Sequence, residues 1–293
     1  MTSRPKKIGI VGLGLIGGSL AKAYKSNGDI VVLGRDKDKS IESFAKMSGA
    51  IDDTLDEEHF RDCDCIFLAL RPGVALDFLR QNAGKIGAET LVIDCCGIKR
   101  GVCSEAFNLA KKGGFTFVGG HPMAGRQSGG FKYSKANLFQ GASMIIVPED
   151  HNDLDLMGRV KEIVTPAGFS KVTVTSAEEH DRIIAFTSQM AHVVSNAFIK
   201  SEAAPHHRGF SAGSYNDLTR VAFLDVDMWT ELFLDNKDNL AGEIDGLVER
   251  LSEYSKALKA GDEESLKVLL AEGRDKKTEI DRWTHGGFAN DSN

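Results

Sequence analysis

The chain has 293 residues, 42% hydrophobic and 27% charged, enough for one large or two smaller globular domains. Its formal net charge of −6 repels phosphate, which excludes nucleic acid as an expected partner and leaves anionic small molecules to locally placed cations. No stretch reaches about 18 uninterrupted apolar residues, and three glycines interrupt the apolar start "MTSRPKKIGIVGLG", so neither a membrane span nor a secretory leader is expected and the expected location is cytoplasmic.

The first apolar run, "KIGIVG" (7–12), leads directly into Gly12, Gly14 and Gly17, a G-x-G-x-x-G pattern that opens a helix over 18–26. After a strand and before a helix, these glycines allow a tight turn, close approach of a pyrophosphate and close helix–strand packing. The helix N-terminus then offers free N–H groups to phosphate. The second run, "DIVVLG" (29–34), ends at Arg35 and Asp36. Asp36 lies 19 residues after Gly17, where an acid holds the ribose hydroxyls of NAD; Arg35, Lys37 and Lys39 keep NADP open as the alternative cofactor.

The third run, "CIFLAL" (65–70), brings Leu70 and Arg71 to the cofactor side and precedes a helix over 74–83. The fourth, "TLVIDC" (90–95), runs into "DCCGIK", which places Cys96, Gly97 and Lys99 at the ligand-facing end of a parallel strand. Lys99 reads equally as a ligand contact or a surface lysine at the start of the helix over 101–112. The fifth run, "FTFVGG" (115–120), ends in the turn "GGHPMAG". There His121 can accept a substrate hydroxyl proton while hydride leaves for a nicotinamide. The runs "ASMIIV" (142–147) and "SKVTVT" (170–175), with a helix over 154–167, complete the series. Most runs are continuously apolar, as in strands buried on both faces. The expected fold is therefore α/β, a doubly wound, mostly parallel Rossmann-type sheet. The five cysteines show no metal spacing and no disulfide framework; reduced thiols and no metal are expected.

After residue 175 the strands stop. Ser176 and Glu179 form a capping-box pattern ahead of a helix of more than twenty residues, with further amphipathic helices to about 282. The expected organisation is a dinucleotide-binding domain over 1–175, an all-α domain over 176–283 and a tail over 284–293. On the long helix Asp181, Ser188, Gln189, His192, Ser195 and Asn196 share one face. That stripe lacks Lys and Glu, and it reads as the wall of a polar cleft rather than a solvated face. Further on, Asp217 precedes Arg220 by three residues ahead of an apolar turn, and Arg220 is a candidate two-pronged carboxylate clamp.

The segments "GLGLIGGSLA", "DCCGIK", "GGHPMAGRQSGG", "HDRIIAFTSQMAH" and "DLTRVAFLDVDMWTELFLDNKDN" resemble, in order, the prephenate/arogenate dehydrogenases of tyrosine biosynthesis. The resemblance runs from about residue 7 to about 250. It implies an oxidoreductase that oxidises and decarboxylates prephenate to 4-hydroxyphenylpyruvate, or converts arogenate, with NAD as hydride acceptor. It also implies His121 as the base, Arg220 and His192 as substrate contacts, Asp217 as the residue orienting Arg220, and an all-α second domain that forms a homodimer. Gln189, Ser188 and Gln127 are the remaining substrate-binding candidates, and Gly12, Gly14, Leu15, Ile16, Gly17, Arg35, Asp36, Leu70, Arg71, Cys96 and Gly97 the cofactor-binding ones. The chain departs from the common pattern at Gln189 (often His), Gln127 (often Glu) and Gly97 (Ser in some members), which leaves prephenate against arogenate open. No chorismate mutase segment or C-terminal regulatory domain is expected. Two alternatives are a β-hydroxy acid dehydrogenase and a non-catalytic NAD-binding sensor. The former commonly uses a catalytic lysine, yet Lys200 is the only lysine between Lys171 and Lys237, away from the polar stripe.

Overall fold

The computed structural model describes residues 6–126 and 128–286. Gln127 lies outside the described residues, as does the expected tail from 287 onward, whereas 284–286 complete the last helix. Eight strands form one sheet: β1 (Lys7–Val11), β2 (Val31–Arg35), β3 (Asp53–Thr54), β4 (Cys65–Leu68), β5 (Leu91–Asp94), β6 (Thr116–Pro122), β7 (Ser143–Val147) and β8 (Lys171–Val174). Their order is β3-β2-β1-β4-β5-β6-β7-β8, parallel throughout except for the antiparallel β6–β7 pair. The connecting helices are α1 (Leu15–Lys25), α2 (Lys39–Met47), α3 (Pro72–Asn82), α4 (Arg100–Gly113) and α5 (Leu154–Val164).

The continuous apolar runs have a direct cause. Successive residues point to opposite faces of the sheet, and both faces are covered. Cys65 and Phe67 enter one core cluster with Ile8, Ile10, Leu91 and Ile93, while Ile66 and Leu68 enter the other with Val11, Leu33 and Val92. Tyr24 of α1 is fully buried, and its hydroxyl donates to the Ile163 carbonyl at 2.7 Å, tying α1 to α5 across the edge of the first cluster.

The two-residue β3 carries no apolar run and was not expected from the sequence; it forms by pairing with Leu33 and Gly34 of β2. A second difference matters more. The fifth expected strand stops at Gly120, yet β6 continues through Pro122, because antiparallel β7 supplies partners for Gly119, Gly120, His121 and Pro122. His121 therefore stands on a paired strand opposite Ile145, not on a turn.

Ser176 caps the first of the later helices, accepting the Glu179 N–H at 3.1 Å. α6 (Ala177–Ile184) passes through a wider π-type segment, Ala185–Met190, into α7 (Ala191–Phe198), making one continuous helical stretch. Then follow α8 (Gly213–Thr219), α9 (Val226–Asp235), α10 (Lys237–Ala260) and α11 (Glu263–Gly286). Packing divides the chain into compact units Met1–Leu240 and Ala241–Asn293, so α6 to α9 belong to the unit that contains the sheet. No helix among the described residues is long and apolar enough to cross a membrane.

Candidate active site

The glycine turn is shaped for an anion. Gly12 has φ +90°, and a Cβ there would stand 2.4 Å from the Ala69 carbonyl oxygen; at Gly17 it would stand 1.8 Å from the Gly12 oxygen. No other residue fits either position. Gly14 caps α1 with no side-chain hydrogen bond, the first turn holds no acid, and a Cβ at Gly14 would meet nothing. The first-turn amides around the half-buried Leu15 and Ile16 thus face open space at the positive end of the helix.

Asp36 is tied to this turn. It accepts the Leu13 N–H at 2.7 Å on one oxygen and the Asp38 N–H at 3.0 Å on the other. Buried Glu42 holds the Asp36 N–H and takes the Lys39 ammonium at 2.9 Å, so one of the cations beside Asp36 is already neutralised. Arg35 is half-buried, its carbonyl accepting the Gly12 N–H at 2.8 Å. Leu70 is half-buried; Arg71 is exposed and lies 3.8 Å from Asp225. Cys96 is buried with its thiol directed at the Leu70 carbonyl, and burial pushes that thiol upward. Gly97 sits against Leu232.

His121 is the centre of a buried polar chain. Its Nδ1 lies 2.9 Å from Nε2 of His180, whose Nδ1 lies 2.7 Å from the Asp181 carboxylate. Asp181 is fully buried and accepts the Lys99 N–H at 2.7 Å and the Arg100 N–H at 2.9 Å, the free amides at the start of α4. Behind it, Lys99 is neither a ligand contact nor a surface residue. It is wholly buried, its ammonium ion-paired with Asp94, whose other oxygen takes the Gly120 N–H at 2.9 Å.

The electrostatics follow from this layout. Burial, then the neighbouring His180 and the Lys99 charge, push His121 down to about 3, so its ring is neutral near pH 7. His180 is lowered too, because burial and the Lys99 charge outweigh its bond to Asp181. Burial opposes the Asp181 charge, but the bonds from His180, Arg100 and Lys99 hold its carboxyl below the ordinary range. Burial also opposes the Lys99 charge; Asp94 overrides it and raises the ammonium to about 12.

The polar stripe turns inward. Asp181, Gln189 and Ser195 are buried on it, whereas Ile183, Phe186 and Phe198 are exposed on the other side. Gln189 has both ends engaged inside the protein, donating to the Leu232 carbonyl at 2.8 Å and accepting from Asn236 Nδ2 at 2.8 Å. Asn236 in turn bonds the Asp181 carbonyl and the Arg100 guanidinium, which also grips Asp238. His192 is half-buried, with Nδ1 2.9 Å from the carbonyl of half-buried Ser188 and its ring centroid 3.9 Å from that of Trp229. With Asn196, Leu224 and Phe233, this pair lines a cleft of about 270 Å³. Asp217 and Arg220 stand exposed at the C-terminal end of α8.

His180 was missed in the sequence reading, although its neighbour Asp181 was placed on the stripe. The available signal was a His-Asp pair in the first turns of a capped helix. What it touches lies 59 residues earlier in the chain.

The chain is similar to known dehydrogenases over most of its length. Residues 20–173 match the family model described as prephenate dehydrogenase, nucleotide-binding domain, and residues 176–272 match prephenate dehydrogenase, dimerization domain. A prephenate dehydrogenase of Lactococcus lactis subsp. cremoris is 28% identical, the match covering 92% of this chain and 76% of that protein. A cyclohexadienyl dehydrogenase of Zymomonas mobilis is also 28% identical, over 88% of this chain and 90% of its own length. The crystal structure of prephenate dehydrogenase from A. aeolicus in complex with hydroxyphenyl propionate and NAD+ superposes with a TM-score of 0.78 at 29% identity, covering 96% of this chain and 99% of that one. The chain belongs to the prephenate dehydrogenase family.

Proposed function

We propose that this protein is a cytoplasmic NAD-dependent dehydrogenase that oxidises and decarboxylates prephenate to 4-hydroxyphenylpyruvate in tyrosine biosynthesis, with arogenate as the alternative substrate. The carrying observation is a neutral histidine, His121, held by a buried histidine–aspartate pair on a strand of the dinucleotide-binding sheet. Family membership supports the reading, as does the phenolic ligand and NAD+ bound together in the A. aeolicus relative.

The residues present fit the dinucleotide. The crevice at Gly12, Gly14 and Gly17, with the first-turn amides at Leu15 and Ile16, would hold its diphosphate. Asp36 and Arg35 would hold the adenosine ribose, and Leu70, Arg71, Cys96 and Gly97 would line the path toward the nicotinamide. Asp36 anchored on Leu13 N–H, beside a Lys39 already paired with Glu42, favours the two ribose hydroxyls of NAD over a 2′-phosphate. Bound NAD accepts a hydride from the substrate carbinol carbon. The protein's own part is proton management and positioning. His121 takes the hydroxyl proton, Arg220 clamps a substrate carboxylate with Asp217 beside it, and His192 with Ser188 and Trp229 forms the wall of the substrate cleft. Gln189 acts through the Asn236 network rather than on the substrate, and Gln127 is a further substrate contact. Phe186, Phe198, Phe210 and Phe223, all exposed, supply apolar surface for a homodimer built on the helical region. We divide the labour at residue 175, with cofactor binding before it and substrate binding and dimerisation over 176–283.

One steady-state experiment tests the reading: prephenate and arogenate crossed with NAD and NADP, followed at the reduced-nicotinamide absorbance. Turnover is expected, faster with NAD than with NADP. Absence of turnover in all four combinations would overturn it.

A further inference from the structure

The His121–His180–Asp181 chain fixes more than the position of a ring. Asp181 is ionised and can only accept, so the proton between it and His180 sits on His180 Nδ1. His180 is neutral, so its Nε2 then carries a lone pair and must accept. The proton between the two rings therefore belongs to His121 Nδ1, and His121 Nε2 is left as a bare lone pair. The opposite tautomer would present an N–H where a base is needed.

We propose that His180 and Asp181 are the positioning residues that make His121 a base, by selecting its Nδ1–H tautomer and by taking up the charge when it reacts. This rests on the dehydrogenase reading above and adds to it the fate of the proton. The substrate O–H bond breaks as an N–H bond forms at Nε2 of His121. The Nδ1–H bond of His121 then breaks as its proton passes 2.9 Å to Nε2 of His180. The resulting imidazolium lies on the ionised Asp181, and His121 returns to neutrality. No electrons move in these steps.

Three features of the surroundings support the assignment. The pair behind His121 is buried deeply enough that water cannot substitute for either partner: His180 is 2% exposed and Asp181 fully buried. Asp181 is itself held in one orientation by the Lys99 and Arg100 amides and by the Arg100 side chain at 3.4 Å. The His121 ring cannot slide, because Gly120 N–H is fixed to Asp94 and the strand is paired to β7. Among the described residues, the charged groups that act on the pair are Asp94 at the end of β5, Lys99 at the start of α4 and Asp181 from α6. β7 contributes only the apolar Met144 and Ile145 opposite His121 and Pro122. The single ammonium, Lys99, disfavours a cation on either ring, and Asp181 is the one carboxylate bonded to a ring of the pair.

The test separates tautomer selection from charge uptake. A glutamine at 180 presents an amide N–H toward Asp181 and an oxygen toward His121, the same donor–acceptor pattern as the native ring, but it takes no proton. An asparagine at 181 keeps an acceptor for His180 and the Lys99 N–H only by turning its own donors on the Arg100 N–H, and it removes the charge on which the imidazolium forms. In a Ser-His-Asp triad the corresponding change costs about 10⁴ in kcat. On the unaltered protein, nitrogen-15 spectra of the histidine rings near pH 7 should show His121 and His180 both protonated at Nδ1, with assignments from His121→Asn and His180→Gln. In assays with prephenate, kcat should fall in the order unaltered, His180→Gln, Asp181→Asn, with NAD affinity unchanged in each. An Nε2-protonated His121 in the unaltered protein, or Asp181→Asn turning over as fast as His180→Gln, would overturn the proposal. The spectra need no turnover, so they decide the tautomer even if prephenate is not the substrate.

Discussion

The sheet and the helical stretch from α6 to α9 bury different mixtures of residue. In the sheet, burial follows hydrophobicity: Ile8, Ile10, Phe67 and Ile93 are fully enclosed. Along α6 to α9 polar side chains are enclosed beside Ile184, Ala185 and Met190. Asp181, Gln189 and Ser195 are enclosed, while Phe186, Phe210 and Phe223 are 60%, 92% and 82% exposed. The first region completes its core within one chain. The second encloses a polar network around Asp181 and His180, and it leaves apolar side chains exposed. Burying a polar group is costly unless it is hydrogen-bonded, and Gln189, Asn236 and Arg100 form a connected set around Asp181, whereas the Ser195 hydroxyl is buried without a partner.

The largest effects should fall where the two regions meet. His121→Asn should lower kcat by about 10²–10⁴, the usual contribution of a general base, while calorimetric NAD affinity stays within a few-fold. Phe67→Ala in the sheet core should cost about 3–5 kcal/mol in chemical denaturation. Phe223→Ser, by contrast, should shift folding stability by no more than about 0.5 kcal/mol and weaken self-association in sedimentation; a Phe223 effect as large as that of Phe67 would erase the contrast. Arg220→Ala should raise KM for prephenate by an amount matching about 1.5–3 kcal/mol for a charged hydrogen bond. Gln189→Ala strands the Leu232 carbonyl and the Asn236 amide and should cost about 1–3 kcal/mol, with kcat falling more than KM rises because the substrate is not touched.

The last effect is a slope. His121 is depressed to about 3 against an ordinary value of 6.5, so between those values the unfolded chain binds the extra proton. Stability therefore falls as pH drops through that window and is fully present above it. His121→Asn should flatten the dependence of the denaturation midpoint between pH 6 and 4; an unchanged slope would show that the ring is not held neutral.

The strands, the glycine turn with Asp36 and the capped long helix were legible because each is written in local periodicity or spacing, which depends on neighbours a few residues apart. The inward polar stripe was legible for the same reason, from its lack of Lys and Glu. What the stripe does was not. Gln189 looked like a substrate contact because composition shows that a side chain is polar, not which carbonyl it reaches 43 residues away. Lys99 looked exposed or ligand-bound because nothing local announces that Asp94, five residues back, lies beside it in a sealed interior.

By itself, then, the sequence determined the doubly wound sheet, the anion-receptive turn and the candidate base, all carried by short-range pattern and backbone sterics. The tertiary structure alone decided that His121 stands on a strand paired with β7, that His180 and Asp181 stand behind it, and that a buried ammonium lies close by. Those facts depend on contacts between distant segments, and low-dielectric burial is what turns them into a chosen tautomer.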